Sequence, residues 1–401
     1  MRASRPPLVG LDARKLTHFG IGSYVRNLIE AIGRSPESSA YRFRVYVPAR
    51  DREAVPSLPA HFEVVPEESP GYSLSELTRF PWRLMRDRLD LFHATHYVIP
   101  PLYRTRAVVT IHDIIHVLYP QFLPNRAALL YARVMIGRAL RRADRIITVS
   151  YNSKRDLVDY FGISPARIDV IYNGVATRFR EGIAHEERDR VAAKYGLPRP
   201  FLLFLGGEKP HKNVRNVLRA FAEARRERDL PHALVLAGPM PANRSRVEAL
   251  IAGLDLSARV FRPGIVPEED LPGLYAASDA LLYPTLYEGF GLPVVEAMAC
   301  GVPVLTSSTS ALQEIAGGYA LLVDPMDVAA IARGIAEIAT NPERRAELVE
   351  LGRRRAADFS WDRAAEQTLR VYAEALGDGR GKGEGERGTP ASPLPPPAYR
   401  S

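Results

Sequence analysis

Short apolar runs that read as strands alternate with longer helical patterns along the chain, and the alternation is written twice. The first series places strands at 8–11, 43–47, 62–65, 89–92, 107–111 and 145–149, with helices at 22–32, 74–88, 126–142 and 153–161. A second opens at 201–205 and continues through 233–237, 260–262, 280–283, 302–305 and 320–323. Such alternation favours α/β layers on parallel sheets, because each strand needs a long crossover to reach its parallel neighbour. With 401 residues the chain exceeds a comfortable single core, so two domains are expected, at 1–173 and 200–358. Residues 174–199 are polar and irregular and read as the linker. After Leu376 the composition collapses into Gly, Arg, Glu and Pro, which predicts a disordered tail over 377–401.

Ligands of open α/β sheets bind beyond the carboxyl ends of the strands, so the residues that follow each strand run matter most. After 280–283 comes Glu288-Gly-Phe290-Gly291-Leu292-Pro293-Val-Val-Glu296. Pro293 suits the start of a helix, which puts Glu288 on the loop and Glu296 in the first helical turn. The glycines allow a tight turn, and free amides at a helix start suit an anion. Two carboxylates beside such a nest repel a bare phosphate; they match sugar and ribose hydroxyls on either side of a diphosphate. After 201–205 the run Gly206-Gly207-Glu-Lys209-Pro-His211-Lys212-Asn213 leaves a strand and enters a helix. Its lysines can neutralise a diphosphate as point charges. Lys212, beside the cap position Asn213, is better placed than Lys209, for which a solvated turn is an equal reading.

In the first half, Gly20 and Gly22 would let a ligand approach the helix that follows 8–11. Val25 stands where the third glycine of a dinucleotide fingerprint should fall, which argues against NAD. After 107–111, His112 and Asp113 leave the strand; the imidazole can hydrogen-bond a sugar hydroxyl or take a proton. His112 and His116 have the spacing of helical metal ligands, but the segment leaves a strand and lacks the acidic partner of a zinc protease, so no metal is expected. His93 and His96 end the neighbouring strand and join Asp113 as acceptor-side candidates.

Charge divides unevenly: residues 1–180 hold 27 Lys and Arg against 16 Asp and Glu, and the rest 27 against 30. An acidic partner for the first half follows, either an anionic membrane surface or a phosphorylated acceptor. Nucleic acid is disfavoured because the arginines are dispersed and carry no recognition motif. The pattern over 74–88, with Arg79, Trp82, Arg83, Arg86 and Arg88, suits either a helix on an anionic bilayer or, more commonly, a core face with solvated arginines behind it. The N-terminal apolar run is too short for a signal peptide, so a cytoplasmic location is expected. Cys300, the only cysteine, reads as a small packed residue.

A Gly-rich first loop, a strand-terminal His-Asp, a basic Gly-Gly loop and two spaced glutamates, in this order, resemble the retaining nucleotide-sugar glycosyltransferases of family four, which includes many bacterial mannosyltransferases. The likeness covers nearly all of 8–376, is most specific over 283–303, and extends to Phe359-Ser-Trp361. It implies two Rossmann-like, doubly wound domains facing across a cleft, the GT-B arrangement, with a closing helix over 359–376 that crosses back to the first domain. It also implies that Glu288 holds donor-sugar hydroxyls, Glu296 the ribose, and the amides of Phe290, Gly291 and Leu292 the sugar and phosphate. Lys212 would bind the diphosphate and His112 touch the donor sugar near the reacting carbon. One departure stands out: an arginine common five residues before the lysine is Gly207 here, so Lys209 or His211 must share the neutralisation.

The resemblance implies that the donor is a substrate, GDP-mannose or a UDP-sugar, that no cofactor or metal takes part, and that the acceptor is a polysaccharide or lipid-linked glycan, with peripheral contact to the inner membrane face. In such enzymes the leaving phosphate takes the acceptor proton, so the carboxyl pair of a glycosidase is not required. The alternatives are a non-catalytic sugar-binding relative, and a Rossmann epimerase or dehydrogenase. The latter is weakened because Lys154 follows Tyr151 one place too early.

Overall fold

The computed structural model describes residues 5–377, apart from 19, 72, 124, 181 and 240–245. These form two compact units, residues 5–174 with 361–377, and residues 175–360. In the first, β1 (Leu8–Asp12), β2 (Arg42–Val47), β3 (Phe62–Pro66), β4 (Leu91–Ala94), β5 (Ala107–Ile111), β6 (Arg145–Thr148) and β7 (Ile168–Val170) pair in parallel in the order β3-β2-β1-β4-β5-β6-β7. In the second, β8 (Phe201–Leu205), β9 (Ala233–Ala237), β10 (Val260–Gly264), β11 (Ala280–Tyr283), β12 (Val304–Ser307) and β13 (Leu321–Val323) pair in parallel in the order β10-β9-β8-β11-β12-β13. Runs such as Phe-Leu-Leu-Phe-Leu in β8 are apolar throughout because helices cover both faces of a parallel sheet. Strand order reverses between β1 and β4 and again between β8 and β11. Connections leave these strand pairs in opposite directions, which opens a crevice at the carboxyl ends.

Two predicted strands slide by two residues. The 89–92 run becomes Leu91–Ala94 because Leu89 is a core residue ahead of the strand, and the 302–305 run becomes Val304–Ser307 because the buried Val302 turns its amide back to Ala297. Of the stretch 174–199, expected as linker, all but Gly174 falls in the second unit, where it carries the helix His185–Lys194, which packs on Leu271–Ala277. The helix Trp361–Leu376 belongs to the first unit and packs on Ile21–Arg34. The tail expected over 377–401 lies, from 378 on, outside the described residues.

Two buried polar networks fix the first unit. Beyond β1, Arg14 donates from Nε and Nη2 to Asp12 at 2.9 and 2.7 Å, from Nη2 to Glu76 at 2.9 Å and from Nη1 to the Ser69 carbonyl at 3.0 Å. The second links four side chains: the Tyr24 hydroxyl lies 3.0 Å from Thr110 Oγ1, which lies 2.8 Å from His93 Nε2, while His93 Nδ1 meets the Tyr372 hydroxyl at 2.6 Å. This chain of bonds ties the closing helix to the sheet. It also corrects the expectation for His93, whose two nitrogens are consumed in the core and whose pKa burial pushes down to about 3.

Arg14→Ala leaves two carboxylates buried without their cation, which typically costs about 3–5 kcal/mol. A clear fall in the urea midpoint of the variant is expected; an unchanged midpoint would show that the clamp is dispensable.

Candidate functional site

The second unit brings together residues far apart in sequence. Because β8 lies beside β11, the loops that follow them emerge side by side, and Lys212 Nζ reaches Glu288 Oε1 at 2.8 Å and the Tyr283 hydroxyl at 2.7 Å. That hydroxyl donates onward to Glu288 Oε1 at 3.1 Å, and the ammonium lies 5.2 Å from the Tyr283 ring centroid. Burial works against the charge of Lys212, but Glu288 and Tyr283 outweigh it and hold its pKa above the ordinary value. An ammonium has three N–H bonds, and two are engaged here, so one is left to donate. Glu288 uses Oε1 for both contacts, which leaves Oε2 with acceptor capacity.

Backbone staples hold the pair in place. Asn213 occupies the cap position of Val214–Arg228 as expected, yet its side chain does not cap the helix; it donates to the carbonyls of Pro284 at 2.8 Å and Pro325 at 2.7 Å. Leu286 donates its amide to the His211 carbonyl at 2.8 Å, and Glu288 its own to Ser310 Oγ at 3.2 Å.

Gly291 precedes the helix Leu292–Ala299 with φ of 98°, and a Cβ there would fall 2.5 Å from Leu312 Cδ2, so only glycine fits. The Phe290 ring is buried edge-on to Phe359 at 5.4 Å, so the ring does not face a ligand. Glu296 lies past the first helical turn that the sequence suggested. It is buried and accepts from the Tyr275 hydroxyl at 2.9 Å, and burial, opposed by Tyr275 and Arg178, raises its pKa to about 7.

Lys209 is not drawn into this cluster. It is exposed and lines a cavity of about 430 Å³ with Glu208, Arg215 and Arg219, whose walls include neither Lys212 nor Glu288. At Gly207 a Cβ would meet the Pro239 carbonyl oxygen at 2.7 Å, so the packing itself excludes the arginine missing from that position.

In the first unit, His112 Nε2 donates to the Thr95 carbonyl at 3.0 Å, and its ring meets the edge of Tyr24 at 4.6 Å. Burial, against the Thr95 bond and with help from Lys15, lowers its pKa to about 4. His112 is therefore neutral near pH 7, with Nδ1 as an acceptor; it hydrogen-bonds a hydroxyl better than it takes a proton. Asp113 Oδ1 accepts the Ile115 amide at 3.0 Å and starts the short helix Ile115–Leu118, on which His116 is exposed. His96 is half-buried beyond β4, and burial, then Lys15, His112, His116 and Arg14, keep it well below the ordinary histidine range. Gly20, with φ of 75°, precedes the helix Ile21–Arg34. The Gly22 amide already donates to the His18 carbonyl, and a Cβ there would meet the Leu16 carbonyl oxygen at 2.3 Å, so this glycine serves close packing rather than a ligand.

Comparison with known proteins agrees with this arrangement. Residues 20–179 match the family described as Glycosyltransferase Family 4, and residues 186–355 the one described as Glycosyl transferases group 1. The O-antigen chain mannosyltransferase B of Escherichia coli is 32% identical over 75% of this chain and 79% of its own. The chain belongs to glycosyltransferase family 4. It is thus a nucleotide-sugar-dependent transferase of the GT-B fold. The transferase is also 34% identical to the MMP alpha-(1->4)-mannosyltransferase of Mycolicibacterium hassiacum, over 60% of this chain and 57% of that one. In fold it resembles the sucrose-phosphate synthase of Thermosynechococcus elongatus, with a TM-score of 0.74 over 92% of this chain and 99% of that one at 23% identity. Among the described residues no helix is long and apolar enough to cross a membrane.

Tyr283 and Tyr275, which orient Lys212, Glu288 and Glu296, escaped the sequence reading. Tyr283 ends the apolar run 280–283 and passes there for one more core residue.

The Glu296 carboxyl, raised from the ordinary 4.5 to about 7, keeps a proton that the unfolded chain releases. Its contribution is therefore full below the unfolded value and is lost as pH rises through about 7, to the extent of about 3 kcal/mol. Glu296→Gln should flatten the fall in urea stability between pH 5 and pH 8; an identical slope in the variant would assign that pH dependence elsewhere.

Proposed function

We propose that the transferase moves a hexose, mannose before others, from a nucleotide sugar to a glycan or lipid-linked acceptor of the cell envelope, with retention and without a divalent metal. The observation that carries this reading is the Lys212–Tyr283–Glu288 cluster. Its free N–H meets the diphosphate, and its free carboxylate oxygen takes a donor-sugar hydroxyl. The amides of Phe290, Gly291 and Leu292, at the start of Leu292–Ala299, share the charge of the departing nucleoside diphosphate. Glu296, paired with Tyr275, receives the ribose hydroxyls. His112, neutral with Nδ1 available, accepts a hydrogen bond from a substrate hydroxyl. The leaving phosphate takes the proton of the acceptor on the same face, which a weakly basic imidazole leaves it free to do.

Mannose is preferred because both relatives named above are described as mannosyltransferases. GDP-mannose is accordingly the first donor to test, with UDP-sugars as the contrast. Reaction in the cytoplasm at the inner membrane face belongs to the same reading, since acceptors of this class are anchored in lipid.

A nucleotide-sugar panel read by thermal shift tests the donor: a ligand at about a hundred times its Kd stabilises the native state by about 2.7 kcal/mol. GDP-mannose should raise the melting temperature most, and a panel in which no nucleotide sugar shifts it would overturn the proposal. Lys212→Ala should abolish the shift given by the free nucleoside diphosphate. Glu288→Gln should keep that shift while losing the extra contribution of the sugar. Each should lower transfer by on the order of 10²–10³-fold, and wild-type transfer rates in both variants would remove the cluster from catalysis.

A further inference from the structure

Helices Leu74–Arg86 and Arg126–Arg142 cover the same face of the first sheet, since Phe80 and Leu84 of one and Ile136 and Leu140 of the other share one core cluster. Their outward stripes carry large apolar side chains: Trp82 is 61% exposed and Met85 44% on the first, Leu130 64% and Val134 46% on the second. Leu102, 54% exposed in the connection between β4 and β5, adjoins Tyr103, whose carbonyl accepts from Arg142 Nε at 3.2 Å. Single exposed apolar residues are ordinary; five on one face of one unit call for an explanation.

The charges on this face have one sign. Helix Arg126–Arg142 has five arginines and no acidic residue. On Leu74–Arg86 the one acid, Glu76, is turned inward onto Arg14, while Arg79 and Arg86 face outward and Arg86 lies 5.8 Å from the Trp82 ring centroid. Arg133, exposed beside Val134, lies 5.5 Å from the ring centroid of Tyr160 on the adjoining helix Tyr151–Phe161. Among the described residues of this face, Arg83 pairs with Asp87 at 3.3 Å and Arg142 lies 3.8 Å from Asp144, while Arg79, Arg86, Arg133, Arg138 and Arg141 have no carboxylate within ion-pair distance.

We infer that this two-helix face seats on an anionic lipid bilayer, with Trp82, Leu130 and Val134 entering the headgroup boundary and the arginines engaging lipid phosphates. The inference rests on the reading that the acceptor is lipid-linked, and it names the surface that meets the lipid. A protein partner fits less well, because the core of a protein interface is depleted of charge, whereas here apolar tips and guanidinium groups are interleaved. Interleaving is what an interfacial helix shows: apolar groups enter the acyl boundary while long basic side chains stay at headgroup level.

The full chain would be sedimented with vesicles of phosphatidylglycerol and phosphatidylcholine in equal parts, and with phosphatidylcholine alone. Binding to the anionic vesicles that weakens several-fold as salt rises supports the inference. Trp361 is buried, so a blue shift of tryptophan emission on binding reports Trp82. The triple variants Trp82→Ser with Leu130→Ser and Val134→Ser, and Arg133→Gln with Arg138→Gln and Arg141→Gln, should each lose at least tenfold in vesicle affinity while keeping donor hydrolysis in solution. Equal binding to both vesicles, no binding at all, or unchanged binding by both variants would overturn the inference. Vesicle binding by a chain that hydrolyses no nucleotide sugar would leave this surface standing and sink the proposed function instead.

Discussion

An ammonium and a carboxylate, each largely withdrawn from water, are tolerable in the second unit because they meet. Lys212 and Glu288 keep only 20% and 15% of their side-chain surface exposed, and removing either would strand the other in a medium that penalises an unpaired charge. The pair exists because β8 and β11 are neighbours while their connections run apart, so two loops separated by 76 residues end on one crevice. Asn213 and the Leu286 amide fix the distance between those loops. Charge that is ordered before a ligand arrives needs no reorganisation during reaction, the condition under which fixed dipoles and ions stabilise a developing charge best.

The first unit solves a related problem by consuming its polar groups. Arg14 takes up Asp12, Glu76 and the Ser69 carbonyl, and the chain from Tyr24 through Thr110 and His93 to Tyr372 occupies both imidazole nitrogens at the centre of the sheet. At the carboxyl edge of the sheet His112, with Nε2 on the Thr95 carbonyl, keeps Nδ1 as an acceptor. Thr95 has a double part in this: its carbonyl fixes the His112 tautomer, and its hydroxyl donates to the Asp12 carbonyl at 2.6 Å, joining the loop after β4 to the one after β1. His112 is thus positioned by the same junction that the Arg14 clamp stabilises.

Much of this was legible in the sequence because a parallel sheet covered on both faces makes each strand a continuous apolar run. The central strands announced themselves that way, and β2, β3, β6 and β10 did so as mostly apolar runs interrupted by a charged residue. β7 did not, for it has three residues at a sheet edge and one of them, Asp169, is committed to Arg145. The helix His185–Lys194 was hidden by its charge, with only Val191 and Ala192 buried, so it read as linker. Within the site, Lys212 was visible because it follows a strand through Gly206 and Gly207, and Glu288 because Gly289 and Gly291 come directly after it ahead of a helix. Tyr283 and Tyr275 were not, since their role lies in one hydroxyl aimed at a residue that the chain alone does not bring near. The same holds for Arg14, whose partner Glu76 lies 62 residues away.

The excess of basic residues in the first 180 was read as a sign of an acidic partner, and the structure shows where part of that excess does not go. Arg14 is spent on two carboxylates, Arg44 on Glu63 and Asp87, and Arg145 on Asp169 and Glu374. Among the described residues, Arg142 alone on Arg126–Arg142 has an acidic neighbour, Asp144 at 3.8 Å, whereas Arg138 and Arg141 point outward from a helix without acids. Exposed cations with no carboxylate on their own helix add little to stability, so their concentration on one face is better explained by what that face meets than by what it holds together.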